Sequence, residues 1–461
     1  MALQSIQLVL DNTEPLKWPR GNRLPLYLWP VMDLETKDET EIEKVLHQLD
    51  QRGIGLISTW HPASYEQSLA QGLKVGRVQK QLGLSVGINA NPCTYSFFNG
   101  DPQTAHIDQN EERFFDLSFG SGHQMGCPFA IDFRLPEMRK QVEDFVHAYQ
   151  QSDVAINFVF ADWEIDGPIE WNGAWEASKR CQRCCAEIGD IADFHAFQSG
   201  LRRKRSQLQR VMLADSVTSY FPGALVGNYA VYPHDGYRYW YDYFEQFVEG
   251  TPHKREGSAK YRQWFHEFPL TEYTCAMPVV YTWDTIWDWY DFDSSDYRWF
   301  YNMLKAGNNA AQSMQNTKSV AAPLVTFVHW HTVDTLDTQP PGLQQFSADM
   351  YQELLWHLLL RGHETFFMWC PSNQIVQETR LVHQVYAASL EYRDFLDFGT
   401  PINFDIPPQP GPVVSAIRLR NRLLVRRTDF NSQDESLSLT VDGKTFQAPP
   451  TGGQCLIIDL D

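Results

Sequence analysis

No apolar run in this chain approaches the roughly 20 residues that a helix needs to cross a bilayer, which argues against a membrane-spanning protein. Positive charge is also scarce. The chain has 38 Lys and Arg against 57 Asp and Glu, a formal net charge of −19. Nucleic acid and anionic membrane surfaces call for a basic face, so neither is expected as a partner. A glycine-rich phosphate turn after the first strand is missing too, because residues 24–29 run directly into Pro30, Val31, Met32 and Asp33. That absence counts against a doubly wound, dinucleotide-binding sheet. Cysteine is sparse, with 8 residues scattered through 461, and a disulfide framework is not indicated. Cys181, Cys184 and Cys185 stand at helical spacing, but no second Cys/His pair follows at finger-like spacing. Structural thiols or a disulfide are therefore expected, with no metal and no cofactor. The N-terminal residues lack a basic region followed by an apolar one, so no signal peptide is read there. A secreted or periplasmic chain whose leader had been removed would look the same, and the compartment is left open.

Aromatic residues, in contrast, are abundant. They make up 14% of the chain, including 15 Trp and 20 Tyr, which suits both a large core and walls on which sugar rings stack. Short apolar or β-branched runs occur at 24–29, 53–60, 84–90, 154–164, 224–232, 276–284, 324–332 and 364–370. Helical periodicity falls between most of them, at 39–50, 65–82, 135–150, 190–218 and 346–360. Eight strands alternating with helices predict an α/β fold, a (β/α)8 TIM-like barrel over residues 1–400. After the proline-rich stretch Ile406 to Pro412, alternating short runs and an Asp442-Gly443 turn signal predict an antiparallel, β-sandwich-like module within 401–461. This module has no tryptophan, so a structural cap fits it better than a carbohydrate-binding platform.

The most informative segment is Phe158-Val159-Phe160-Ala161-Asp162-Trp163-Glu164, followed by Asp166. Residues two apart on a strand share a face. Asp162 and Glu164 are thus expected together at the C-terminal end of a barrel strand, where catalytic groups sit. Other strand ends carry residues suited to a sugar site: Trp29, Trp60 and His61, Asn89, Tyr229, Tyr281 and Asp284, His329 and His331, and Trp369. Glycosidic cleavage needs a proton donor and a group that captures or stabilises the oxocarbenium-like centre. Glu164 is the expected donor, its pKa raised by the neighbouring Asp162 charge. The second role has two candidate answers. Asp162 can orient a substrate acetamido group that attacks in its own cleavage, or Asp162, Asp284 or Asp33 can act as nucleophile in a conventional double displacement on sulfated or neutral glycans.

Asp162-Trp163-Glu164, with Trp171, Asn172 and Trp175 after it, resembles the Asp-x-Glu segment of the hyaluronidase-like glycoside hydrolases. The stretch from Gly227 to Asp235, together with Tyr281 and Trp369, is similar in order to that family's later site segments. The resemblance implies a substrate-assisted, retaining (β/α)8 enzyme in which Tyr229 and Tyr281 touch the acetamido group and the reactive ring and Trp369 shapes the subsite. Asp-x-Glu also occurs in chitinase-like and hexosaminidase-like barrels. The expected partner is a poly- or oligosaccharide. Two other functions are weighed against this one. The first is a non-catalytic carbohydrate-binding barrel; the second is a metal-dependent hydrolase using His329 and His331, for which the sequence offers no third ligand.

Overall fold

A computed structural model describes residues 2–29, 34, 38–94, 100–117, 124–130, 132–162, 172–233, 268–283, 287, 292–316, 322–333, 340–407, 409–430 and 437–460. The chain is mixed α/β, with parallel sheets, a short antiparallel pair between their strands and further antiparallel strands toward the C-terminus. In chain order the strands are β1 Leu26–Leu28, β2 Ile54–Gly55, β3 Ile57–Thr59, β4 Gly87–Asn89, β5 His106–Ile107, β6 Arg113–Phe114, β7 Phe158–Ala161, β8 Leu225–Asn228, β9 Val279–Trp283, β10 Leu324–Val333 and β11 His363–Met368. Each of the eight runs read from the sequence overlaps one of the parallel strands, and the run 53–60 holds two.

One parallel sheet has the order β2-β1-β11-β10-β9 and the other β3-β4-β7-β8. Only Leu56 separates β2 from β3. Beyond β8, Cys275 N–H donates to the Val226 carbonyl at 3.2 Å, Met277 N–H donates to the Val231 carbonyl at 3.0 Å, and Ala276 bridges to Leu324 in parallel. The segment leading into β9 therefore links the far edge of one sheet to the other.

The strands enclose an aromatic interior. Tyr27 of β1 stacks on Phe158 of β7 with centroids 4.5 Å apart, although these strands lie in different sheets. Phe367 of β11 meets Phe160 and Phe327, each at 4.5 Å. Two strand glycines make room for neighbouring side chains: a Cβ on Gly55 would stand 3.0 Å from the Tyr27 ring, and one on Gly227 only 2.7 Å from the Cys275 sulfur. Along β7 the alternation is clear. Phe158 and Phe160 join Tyr27, Phe327 and Phe367, whereas Val159 and Ala161 pack with Val142, Phe145 and Leu213 of the covering helices.

Those helices include Glu39–Asp50, Tyr65–Leu82, Leu135–Gln151, Phe194–Gln209, Ser295–Asn316, Ala348–Leu360 and Ile375–Ser389. The periodic stretch 190–218 is not one uniform helix, because a π-helical turn, Arg210–Ala214, separates Phe194–Gln209 from Asp215–Thr218. No helix among the described residues is long and apolar enough to cross a membrane.

Toward the C-terminus, β12 Thr400–Ile402, β13 Val413–Leu419, β14 Arg422–Thr428 and β17 Leu456–Asp459 form an antiparallel sheet. A hairpin of β15 Leu437–Val441 and β16 Lys444–Ala448 packs on it, sharing a core of Val414, Val425, Leu437 and Phe446. The hairpin turns at Asp442 and Gly443, with φ of 50° and 78°. Two consecutive positive φ angles are the reason an Asp-Gly pair serves there.

Candidate functional site

The inward register defines the site. Parallel partners face the same way, and the pairs Asn89 with Phe160, Tyr281 with His329, and Phe327 with Val279 carry the inward face from strand to strand. One step beyond the last inward-facing residue of each strand stand Trp29 after Tyr27, Asp162 after Phe160, Tyr229 after Gly227, and Trp369 after Phe367. All are at the C-terminal ends of their strands. Tyr229, Tyr281, His329 and Trp369 form a continuous wall. Tyr281 lies 6.2 Å from Tyr229, 5.8 Å from His329 and 5.8 Å from Trp369, on which it stacks at 25°. His329 meets Trp369 at 4.9 Å, edge to face. Trp29 lies lower, against Phe160, Phe327 and Phe367, and forms part of the floor. Asp162 is half-buried directly after β7. Glu164, Asp166 and Asp284 lie outside the described residues, as do Asp33, Trp163 and Trp171.

Three of the expected site residues have other surroundings. Trp60 is 1% exposed, and its ring stacks on Phe145 of Leu135–Gln151 at 5.0 Å and 6°. It faces the helical layer because it is one residue out of phase with inward Thr59, so it packs helix on sheet. Asn89 faces inward, but its side-chain oxygen accepts from Asn91 N–H at 3.0 Å and so shapes the turn after β4. His61 is exposed; its backbone N–H donates to Ser68 Oγ at 3.0 Å, and it borders a cavity of about 250 Å³ beside Tyr65–Leu82.

The two histidines of β10 converge on a residue that the sequence reading did not name. Glu378, fully buried on Ile375–Ser389, places Oε1 2.9 Å from Nδ1 of both His329 and His331. The same oxygen accepts from Trp330 N–H at 2.8 Å and His331 N–H at 3.0 Å. Burial alone would raise this carboxyl, but the close imidazoles of His329 and His331 and the His331 backbone N–H hold it below its ordinary value. His331 Nε2 is 3.1 Å from Gln377 Oε1, so protein groups engage both ring nitrogens. A metal-binding role for this pair thus competes with Glu378 and Gln377. The signal for Glu378 was in the sequence, as a lone carboxylate on the apolar face set by Ile375, Val382 and Val385.

Among the described residues, the group of His, Cys, Asp and Glu side chains able to hold an ion is elsewhere: His106, Cys127, Cys181 and Cys184, all buried. They lie on the excursions that follow β4 and β7.

No known family profile matches the chain, and no curated protein matches its sequence. Solved structures with some likeness include α-L-fucosidase isoenzyme 2 from Paenibacillus thiaminolyticus, at 12% identity and a TM-score of 0.46, covering 82% of this chain and 51% of that one. A GH36 α-galactosidase from Geobacillus stearothermophilus in complex with raffinose aligns at 13% identity and a TM-score of 0.46, over 99% of this chain and 56% of its own. Bee venom hyaluronidase aligns at 11% identity and a TM-score of 0.36, over 74% of this chain and 96% of its own. The chain spans about half the length of the fucosidase and galactosidase chains.

Proposed function

We propose that the chain is a retaining glycoside hydrolase built on a closed (β/α)8 barrel over residues 1–400, capped by a β module at 401–461. In this reading Glu164 is the general acid/base and Asp162 orients a substrate acetamido group. Tyr229, Tyr281 and Trp369 receive the sugar, and His329, steadied by Glu378, completes the wall. One observation carries the proposal: the inward register of β7 brings Phe158, Phe160 and then Asp162 to the strand ends that also present Tyr229, Tyr281, His329 and Trp369. A carboxylate beside an aromatic wall at strand C-termini suits cleavage of a ring that stacks while its acetal is protonated. The hyaluronidase-like order of the acidic segment adds the substrate-assisted version, in which the acetamido oxygen is the nucleophile.

Product release from a panel of acetamido-containing, sulfated and neutral glycans tests the reading. Cleavage of an acetamido polymer is expected, falling about 10²–10⁴-fold in Glu164→Gln, the scale of a lost general acid, and substantially in Asp162→Asn. Cleavage confined to glycans without a 2-acetamido group would retire substrate assistance in favour of a protein nucleophile. Binding without turnover across the panel would replace the enzyme with a carbohydrate-binding barrel.

A further inference from the structure

Four metal-type ligands from separate stretches of chain meet outside the parallel strands. His106 lies on β5 and Cys127 just ahead of the short 3-10 turn Pro128–Ala130. Cys181 caps the helix Gln182–Ile188, and Cys184 lies in its first turn. Cys127 Sγ is 3.5 Å from Cys184 Sγ and 3.8 Å from Cys181 Sγ, and Cys184 Sγ is 3.9 Å from His106 Nδ1. All four ligand atoms lie within 4.8 Å of one another. A tetrahedral zinc ion holds thiolates at about 2.3 Å and an imidazole nitrogen at about 2.0–2.1 Å. Such ligands stand about 3.8 Å apart from sulfur to sulfur and about 3.5 Å from sulfur to nitrogen. We propose that His106, Cys127, Cys181 and Cys184 bind one zinc ion in a closed, structural Cys3His site.

The surroundings fit a thiolate centre. Binding displaces the three thiol protons to solvent, with no change of oxidation state. The resulting centre carries one net negative charge. Arg180 lies over the Phe114 ring at 4.3 Å, and that ring stacks on His106 at 5.1 Å, so a cation is close by. A disulfide accounts for less, because it would engage only two of three mutually close sulfurs, and all eight cysteines are unpaired by disulfides. Four protein ligands leave no open coordination position, so the ion is structural rather than catalytic. What it joins gives the site its importance: His106 and Cys127 belong to the excursion after β4, and Cys181 and Cys184 to the excursion after β7. Zinc would clasp the two segments that flank Asp162. The spacing hid this from the sequence, since only Cys181 and Cys184 are close in the chain while their partners lie more than 50 residues upstream.

The test is metal analysis of the protein purified under reducing conditions with zinc in the medium, then desalted. One zinc per chain is expected, retained in Cys185→Ser and lost in Cys127→Ser and Cys184→Ser. If those variants fold poorly, the wild type suffices: a mercurial thiol reagent should release stoichiometric zinc to an indicator dye, and cobalt reconstitution should give the intense thiolate-to-cobalt absorption of a tetrahedral site. Substoichiometric zinc both as isolated and after reconstitution would overturn the proposal. So would stoichiometric iron in its place, equal loss of zinc in Cys185→Ser, or a disulfide among Cys127, Cys181 and Cys184 found by mass spectrometry of the unreduced protein.

Discussion

Glu378 shows how much one buried atom can organise. Its Oε1 gathers two backbone N–H groups and two imidazoles, while Oε2 has no hydrogen-bond partner among the described residues. Replacing it by glutamine removes the charge that strengthens these bonds, and hydrogen bonds to a charged group are worth about 1.5–3 kcal/mol each. Glu378→Gln is therefore expected to lower unfolding stability by about 2 kcal/mol at neutral pH, measured by urea denaturation. The sign with pH follows from a depressed carboxyl: its contribution is complete above the ordinary value of 4.5 and is lost as the pH falls through the lower folded value. In the glutamine variant that acid-side loss should be absent. Residue by residue, the wall Tyr229, Tyr281, His329 and Trp369 was legible because each stands at the end of an apolar run. Trp60 was misleading because a one-residue phase difference, invisible in composition, turns it to the other face.

At the scale of elements, the docking of the C-terminal sheet rests on polar anchors from one helix. Glu353 on Ala348–Leu360 takes Arg426 of β14, and Arg426 also donates to the Gly453 carbonyl at 2.7 Å. Arg361, just past that helix, is fully buried and donates to Ser415 Oγ at 2.8 Å and to the Phe404 and Val414 carbonyls at 2.9 Å each. Removing one partner of a buried pair strands the other charge, so Glu353→Ala should cost about 3 kcal/mol. Calorimetry is the check: wild type should melt in one transition, whereas the variant should separate a lower-melting sheet. Retention of a single, unshifted transition would show that the anchors do not couple the sheet to the helices.

Among the helices, Glu39–Asp50 and Tyr65–Leu82 were readable to the residue. Ser295–Asn316 and Ile375–Ser389 were not, for physical reasons. Gly307, Asn308 and Asn309 interrupt the first with poor helix formers, yet glycine is needed there because a Cβ would stand 2.2 Å from Leu358. In the second, Glu378, Thr379 and His383 occupy the buried face, breaking the apolar periodicity on which a helix assignment depends.

For the molecule as a whole, acid should be destabilising. His357, His363 and His383 are held neutral by burial, the first well below 6.5 and the other two at about 4. Below about 6.5 the unfolded chain binds protons that the folded chain refuses, so stability falls with falling pH by about 1.4 kcal/mol per pH unit for each histidine. The decline should continue until the folded values are reached. Denaturation midpoints measured between about pH 7 and pH 5 should drop steeply; a flat profile would show that water or local opening already admits the protons.

The pairing of Tyr27 with Phe367 across the first sheet has a consequence in time. The two chain regions are about 340 residues apart, as the hydrogen bond from Thr365 to the Pro25 carbonyl also records. On a ribosome, Leu26, Tyr27 and Leu28 emerge long before β11 has been synthesised, so the nascent chain carries an unpaired, apolar strand edge through most of translation. Yield in a host should therefore depend on elongation speed and chaperone supply more than on the stability of the finished protein.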